Sequence, residues 1–268
     1  MTARPEDLQR RLAGLEQIDE VVGALRAIAS GQSAAARSAL PAIEAHALTT
    51  RRAMARLAAF TAATTASAGP GLLLVIGASQ GFAGAYPQRV AATTLQALAP
   101  DRGLLVVGRR TAQALLDRGR QPLWSADLPG RPAAIPALAS EVTAALVAQA
   151  VAHPGPIDAI AGLPAAGHAL AAVRLFPPEP VAAAQGMQPP LMTLAPAVLM
   201  ASLLQEALFA AVARALMRGL EAEAAARMQA MAQARSNLQR RRNEVEAAYR
   251  QARQEQMTTE MIELAAGR

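Results

Sequence analysis

The chain has 268 residues, 53% of them hydrophobic but only 3% aromatic, and carries 26 basic against 20 acidic residues for a net charge of +6. Every basic residue is Arg, which excludes a P-loop, Schiff-base or kinase-type lysine. The absence of Cys excludes disulfides, a thiolate nucleophile and cysteine-ligated metal.

An interior built on Ala, Leu, Val and Met favours long, slim helices. The positive balance points to an acidic partner. Met1 to Arg11 lacks the apolar core of a signal peptide. Leu191 to Val212 is interrupted by Pro196, Gln205 and Glu206, so no membrane span is expected. The expected setting is the cytoplasm.

From the N-terminus, apolar residues recur at Leu8, Leu15, Val22 and Ala29, with Ile18 and Leu25 between them. Two per seven is the narrow stripe of a coiled-coil seam. Thr2 is a possible cap and Pro5 sits just inside the start. The helix is expected to reach about Phe60, weakened at Gly31 and kinked at Pro41. Thr61 to Gly71 reads as a linker.

An apolar run, Leu72 to Ile76, then predicts a strand buried on both faces. A glycine-rich turn, Gly77 to Gly84, leads to a helix over Tyr86 to Leu98. A strand follows at Leu104 to Val107, then a helix over Thr111 to Asp117 and a weaker strand near Gln121 to Trp124. Beyond a Pro/Gly loop come a helix from Pro136 to about Ala152 and strands at Ile157 to Ala161 and Ala171 to Phe176. Alternating strands and helices predict a Rossmann-like, mainly parallel sheet.

Pro177, Pro178, Pro180, Pro189 and Pro190 mark a second linker. From about Pro196 only Gly219 interrupts a helical pattern that lasts to Gly267, a helix on the order of 100 Å long at about 1.5 Å per residue. Its seam runs through Met231, Leu238, Val245 and Ala252. So thin a stripe does not stabilise a lone helix in water, and the N-terminal helix is the available partner. The expected fold is an α/β insert on an all-α shaft: terminal helices (1–60 and 195–268) in an antiparallel coiled coil, with the sheet domain (71–180) between them.

Catalytic signals are absent. Gly77-Ala78-Ser79-Gln80-Gly81-Phe82-Ala83-Gly84 lies where dinucleotide loops lie, but it lacks the GxGxxG order and a following acidic residue. Ser79 lacks the GxSxG elbow. His46, His153 and His168 have no metal-ligand spacing, and the middle acids Asp101, Asp117, Asp127, Glu141, Asp158 and Glu179 stand singly. No cofactor or metal is expected. The marked feature is an arginine cluster, Arg235, Arg240, Arg241, Arg242, Arg250 and Arg253, with Arg241 on the projected seam. It suits an acidic partner surface. Nucleic acid is not expected, because Trp124, Tyr86 and Tyr249 fall in separate elements.

The last helical stretch carries Glu223 to Met231, then Asn237, Tyr249 and Ala252-Arg253-Gln254, and ends on Thr258, Glu260, Glu263 and Gly267; in this series it resembles the gamma subunit of F-type ATP synthases. Glu223-Ala224-Ala225-Ala226-Arg227-Met228-Gln229-Ala230-Met231 is similar to that family's SEQAARMxAM stretch. The match continues without a gap through Asn237 and Tyr249 to Ala252-Arg253-Gln254, where the family has Y-N-K-A-R-Q. Thr258, Glu260, Glu263 and Gly267 fit its ITQELxEIxxG ending. Ala24 to Ala29 stands where the family has AMEMVA, and Gly81 to Gly84 where it has GLCG. The chain departs at Gly31 to Ala35, where the family has SKMRK, and at Ser79-Gln80-Gly81, where it has DRG. These changes mark a divergent branch and suit an alternative (N-type) ATPase.

The resemblance implies a rotating central stalk inside a hexamer of alpha and beta subunits. It also implies contacts to an epsilon subunit and a membrane ring of c subunits, with no catalytic residue in the chain itself. Arg235, Arg240, Arg241, Arg242, Arg250, Arg253, Met257 and Glu260 are then the expected partner-contact residues. The complex would sit on the cytoplasmic face of a bacterial inner membrane. Two rival readings remain: a nucleotide-binding α/β enzyme with helical dimerisation arms, and a basic coiled-coil adaptor.

Overall fold

The computed structural model describes residues 4–61, 68–163, 169–179 and 191–267. Thr2, His168, Pro180, Pro189, Pro190 and most of the first linker lie outside them. The chain forms two compact units, Met1–Ala29 with Met228–Arg268, and Ser30–Arg227. Both draw on the two long helices, α1 (Pro5–Leu57) and α5 (Pro196–Ala265).

In the first unit the helices run antiparallel. Arg235 Nε lies 3.4 Å from Asp19 Oδ1 and Arg242 Nη2 lies 3.2 Å from Glu16 Oε1, so pairings descend α1 as they ascend α5. The seam is the expected one: Leu8, Val22, Ala29, Met231 and Ala252 are buried, and Leu15, Leu238 and Val245 are half-buried. Ile18 is not part of it and stays 51% exposed. The second row of α1 runs through Leu12, Asp19 and Leu25, all half-buried, so it advances by four residues from Leu15 and passes Ile18 by.

The second unit holds the sheet, ordered β3-β2-β1-β4-β5. The strands are β1 (Leu72–Ile76), β2 (Gly103–Val107), β3 (Trp124–Ala126), β4 (Ile157–Leu163) and β5 (Ala169–Phe176). β1 to β4 are parallel, and β5 pairs antiparallel with β4. The connecting helices are α2 (Tyr86–Ala97), α3 (Arg109–Leu116) and α4 (Ile135–Ala150). β3 starts later than expected because only from Trp124 does the chain pair with β2, opposite Leu105.

Each face of the sheet has its own core, as alternating side chains of an all-buried strand require. Leu72, Leu74 and Ile76 pack with Ile135, Val142 and Leu146 of α4 and Leu208, Val212 and Leu216 of α5. Leu73 and Val75 pack with Tyr86 and Val90 of α2 and Leu115 of α3. Asp158 in β4 takes ion pairs from Arg102 beside β2 and Arg174 in β5. Burial works to raise its carboxyl, and the two guanidiniums overcome that and hold it below the ordinary carboxylate range.

The seam of α1 continues in this unit through buried Ala36, Thr50 and Leu57. The helix runs unbroken past Gly31 and Pro41, whose ring stands at an exposed position. Two helical stretches, Pro132–Ala150 and an apolar window of α5, reach the length and hydropathy of a membrane span, which was not expected from the interrupting residues. Each of those helices packs one face on the sheet.

Gly219 is the one expected weak point of α5, and its reason is packing. A Cβ there would lie 2.2 Å from Ile76 Cγ2. Helix propensity alone predicts that Gly219→Ala stabilises by about 1 kcal/mol. Overpacking against β1 costs about 1–3 kcal/mol. The expected outcome is a net loss, read as a lowered melting temperature of the variant.

Candidate functional site

The glycine loop leaves the carboxyl end of β1, where doubly wound folds bind phosphates. Here its polar groups are taken by the chain itself. Gly77 abuts Thr111, whose Oγ1 would lie 2.1 Å from an added Cβ. That hydroxyl accepts the Ala78 N–H at 2.9 Å. Ser79 is 3% exposed, and its Oγ accepts the Leu128 N–H at 2.6 Å. It is a loop brace and not a nucleophile.

At the centre stands Glu223 of α5, 2% exposed. Its Oε1 accepts the Gln80 N–H at 2.8 Å and Arg227 Nη2 at 2.9 Å. Arg227, 4% exposed, also donates from Nε to the Gly81 carbonyl at 3.2 Å and from Nη1 to Gln32 Oε1 of α1 at 2.9 Å. Burial pushes the Glu223 carboxyl up, while the loop N–H groups and the guanidinium offset part of that rise. The loop's anion-binding donors therefore face an internal carboxylate in the place a nucleotide phosphate would take. The lock joins α1, the loop and α5.

Glu223 and Arg227 were legible as part of the family-like stretch, but their role was not. The signal available was a Glu–Arg pair four residues apart in an alanine-rich helical stretch. One neighbour of the lock is unusual: Phe82 adopts φ 64° and is 67% exposed. A bulky side chain in left-handed backbone is held there only by its surroundings.

The arginine cluster is dispersed by the structure. Arg235 and Arg242 cross to α1, as described above. Arg242 Nε also meets Glu246 Oε1 at 2.8 Å. Arg240, Arg241, Arg250 and Arg253 bond along α5 itself, to Asn237, Glu244, the Glu246 carbonyl and Tyr249. Arg241 was projected onto the seam and is instead 72% exposed. The seam steps four residues from Leu238 to Arg242, so Arg242 takes that place, partly covered. Past Ala252 every described residue of α5 is exposed, Met257 at 54% and Glu260 among them.

His46 Nε2 lies 2.7 Å from Glu206 Oε1, tying α1 to α5 within the second unit. His153 sits beside Gly103, at the amino end of the sheet. Among the described residues, no group of His, Asp and Glu is placed to hold a metal.

Paired terminal helices, an inserted α/β sheet and a glycine loop closed by the chain's own side chains define a helix-pair scaffold with an inserted domain. The sequence profile described as ATP synthase matches residues 4–268. The chain belongs to the ATP synthase gamma-subunit family. Among curated proteins no sequence matches it.

Solved structures with a similar fold include two chains of the Euglena gracilis mitochondrial ATP synthase. One is from its rotor in rotational state 1, with TM-score 0.61 and 14% identity, covering 94% of this chain and 98% of that one. The other is from its OSCP/F1/c-ring assembly in rotational state 3, with TM-score 0.65 and 14% identity, covering 98% and 92%. A chain of the Tetrahymena thermophila mitochondrial ATP synthase central stalk and c-ring has TM-score 0.57 and 16% identity, covering 80% and 99%.

Removing one partner of a buried ion pair leaves the other uncompensated, at a cost of about 3–5 kcal/mol. Glu223→Ala is expected to lower stability by that order, and Glu223→Ala with Arg227→Met to recover part of it, both read from thermal unfolding. Wild-type chain titrated with ATP or NAD should show no binding at the glycine loop.

Proposed function

We propose that the chain is the central-stalk rotor of an F-type ATP synthase, the non-catalytic shaft through which ion flow and nucleotide turnover are coupled. The observation that carries the reading, beside family membership, is the surface of the paired helices. Ile18, Val21 and Ile28 of α1 are each more than half exposed, as are Met257, Met261, Ile262 and Leu264 of α5. Apolar side chains in such rows call for cover by a surrounding protein. Weak dispersion contacts to small residues such as Ala265 and Ala266 suit a bearing that must slide.

The surrounding protein in this reading is the hexamer of alpha and beta subunits, met by the exposed Arg240, Arg241, Arg250 and Arg253 together with Met257 and Glu260. Arg235 and Arg242 serve the pairing of the helices and reach partners only secondarily. The sheet domain is the part that would meet an epsilon subunit and the c-ring, and the complex would sit peripherally on the cytoplasmic face of a bacterial inner membrane. The loss of the family's basic residues at Gly31 to Ala35 favours a branch of the alternative (N-type) kind. The filled glycine loop weighs against the enzyme reading, and the internal pairing of the arginines weighs against the basic adaptor.

A helix pair whose exposed rows are covered only by partners is stabilised by them through mass action. Co-expression with its alpha and beta subunits should yield one stoichiometric assembly and a soluble chain, while the chain expressed alone should be poorly soluble. A well-behaved monomer that ignores both partners contradicts the assignment.

A further inference from the structure

Arginines crowd one cavity of the second unit with too few carboxylates to match. A pocket of about 210 Å3 lies between α1, β5 and α5. Arg51, Arg174 and Arg214 line it, one from each element, over a floor that includes Met54 and Leu175, and among the described residues Glu179 is its one acidic lining residue. Arg174 spends its Nε on Asp158, and the neighbouring Arg218 reaches Glu44 at 3.7 Å. Among the described residues, Arg51 and Arg214 form no ion pair. No carboxylate side chain is held in reserve elsewhere, because residues 1–3, 62–67, 164–168, 180–190 and 268 include neither Asp nor Glu.

Such crowding is unfavourable for the guanidiniums, and Arg214 shows it. Burial, with Arg218 and Arg51 adding to it, pulls Arg214 below its ordinary range, and Glu44 and Glu179 only partly restore it. A bound anion would relieve both effects. Guanidinium forks converging from three elements match the several oxygens of a tetrahedral anion. The walls include Ala47, Ala207 and Ala211, and among the described residues no aromatic ring lines the pocket on which a nucleobase could stack.

We propose that this pocket binds a phosphate group, either as free inorganic phosphate or as the phosphate of a lipid headgroup, with Arg51, Arg174 and Arg214 as its ligands. The site belongs to the second unit alone and does not depend on the stalk assignment.

Arginine-selective modification by phenylglyoxal, read peptide by peptide by mass spectrometry on the full chain in its purified complex, tests the site. Inorganic phosphate at about four times its dissociation constant should slow modification of Arg51 and Arg214 about fivefold by mass action. Chloride at equal ionic strength should not, and Arg118 and Arg120, exposed on the sheet domain, should react unchanged in both. Glu179→Gln, at a surface position, should strengthen the protection, and Arg214→Gln should abolish it at Arg51. In a parallel arm, vesicles of phosphatidylglycerol are compared with vesicles of phosphatidylcholine. Selective protection by free phosphate or by the anionic vesicles supports the site and identifies its source. Equal slowing at every arginine, or none at Arg51 and Arg214 in both arms, overturns it.

Discussion

The C-terminal part of α5 has a seam so thin that its apolar surface is too small to hold it as a lone helix in water. Everything else in this protein follows from how that deficit is met. In each unit the same two helices run antiparallel: Leu8, Val22 and Ala29 are buried with Met231 and Ala252 in one, and Arg37 meets Glu221 while Gln32 meets Arg227 in the other. In the first unit the thin seam leaves most of each helix surface uncovered, whereas α5 is largely buried over residues 208–227.

The sheet domain is bound to the helices by polar as well as apolar contacts. Glu223 and Arg227 are buried charges, and a buried ion pair is often no more stabilising than apolar packing. What this one supplies is specificity: a carboxylate on which a loop N–H and a guanidinium converge sets one register between α5 and the glycine loop. The same contact occupies the Gln80 N–H at the carboxyl end of β1, where doubly wound folds hold phosphates.

Much of the fold was legible because periodicity reports burial directly. The all-apolar run Leu72 to Ile76 gave a central strand, and spacings of seven from Leu8 and Met231 gave the seams. Errors arose where one residue's position depends on counting three against four along a helix. Ile18 and Arg241 both lie one step off the seam, and in each case the true step is four. The site was less legible. Glu223 and Arg227 touch Gln80, Gly81 and Gln32 across separations of more than a hundred residues in sequence, and no local pattern announces such contacts. The pocket around Arg214 is hidden for the same reason, since its three arginines come from three elements.

Rotation itself is the most direct test. The chain contains no Cys, so a single introduced cysteine on the exposed outer face of the sheet domain can carry one probe without competing labels. With the complex anchored through its stationary F1 part and supplied with ATP, the account predicts stepwise turning of the probe in one direction, at a rate that follows ATP hydrolysis. Sustained hydrolysis by an intact, anchored complex while the labelled chain stays fixed would contradict it.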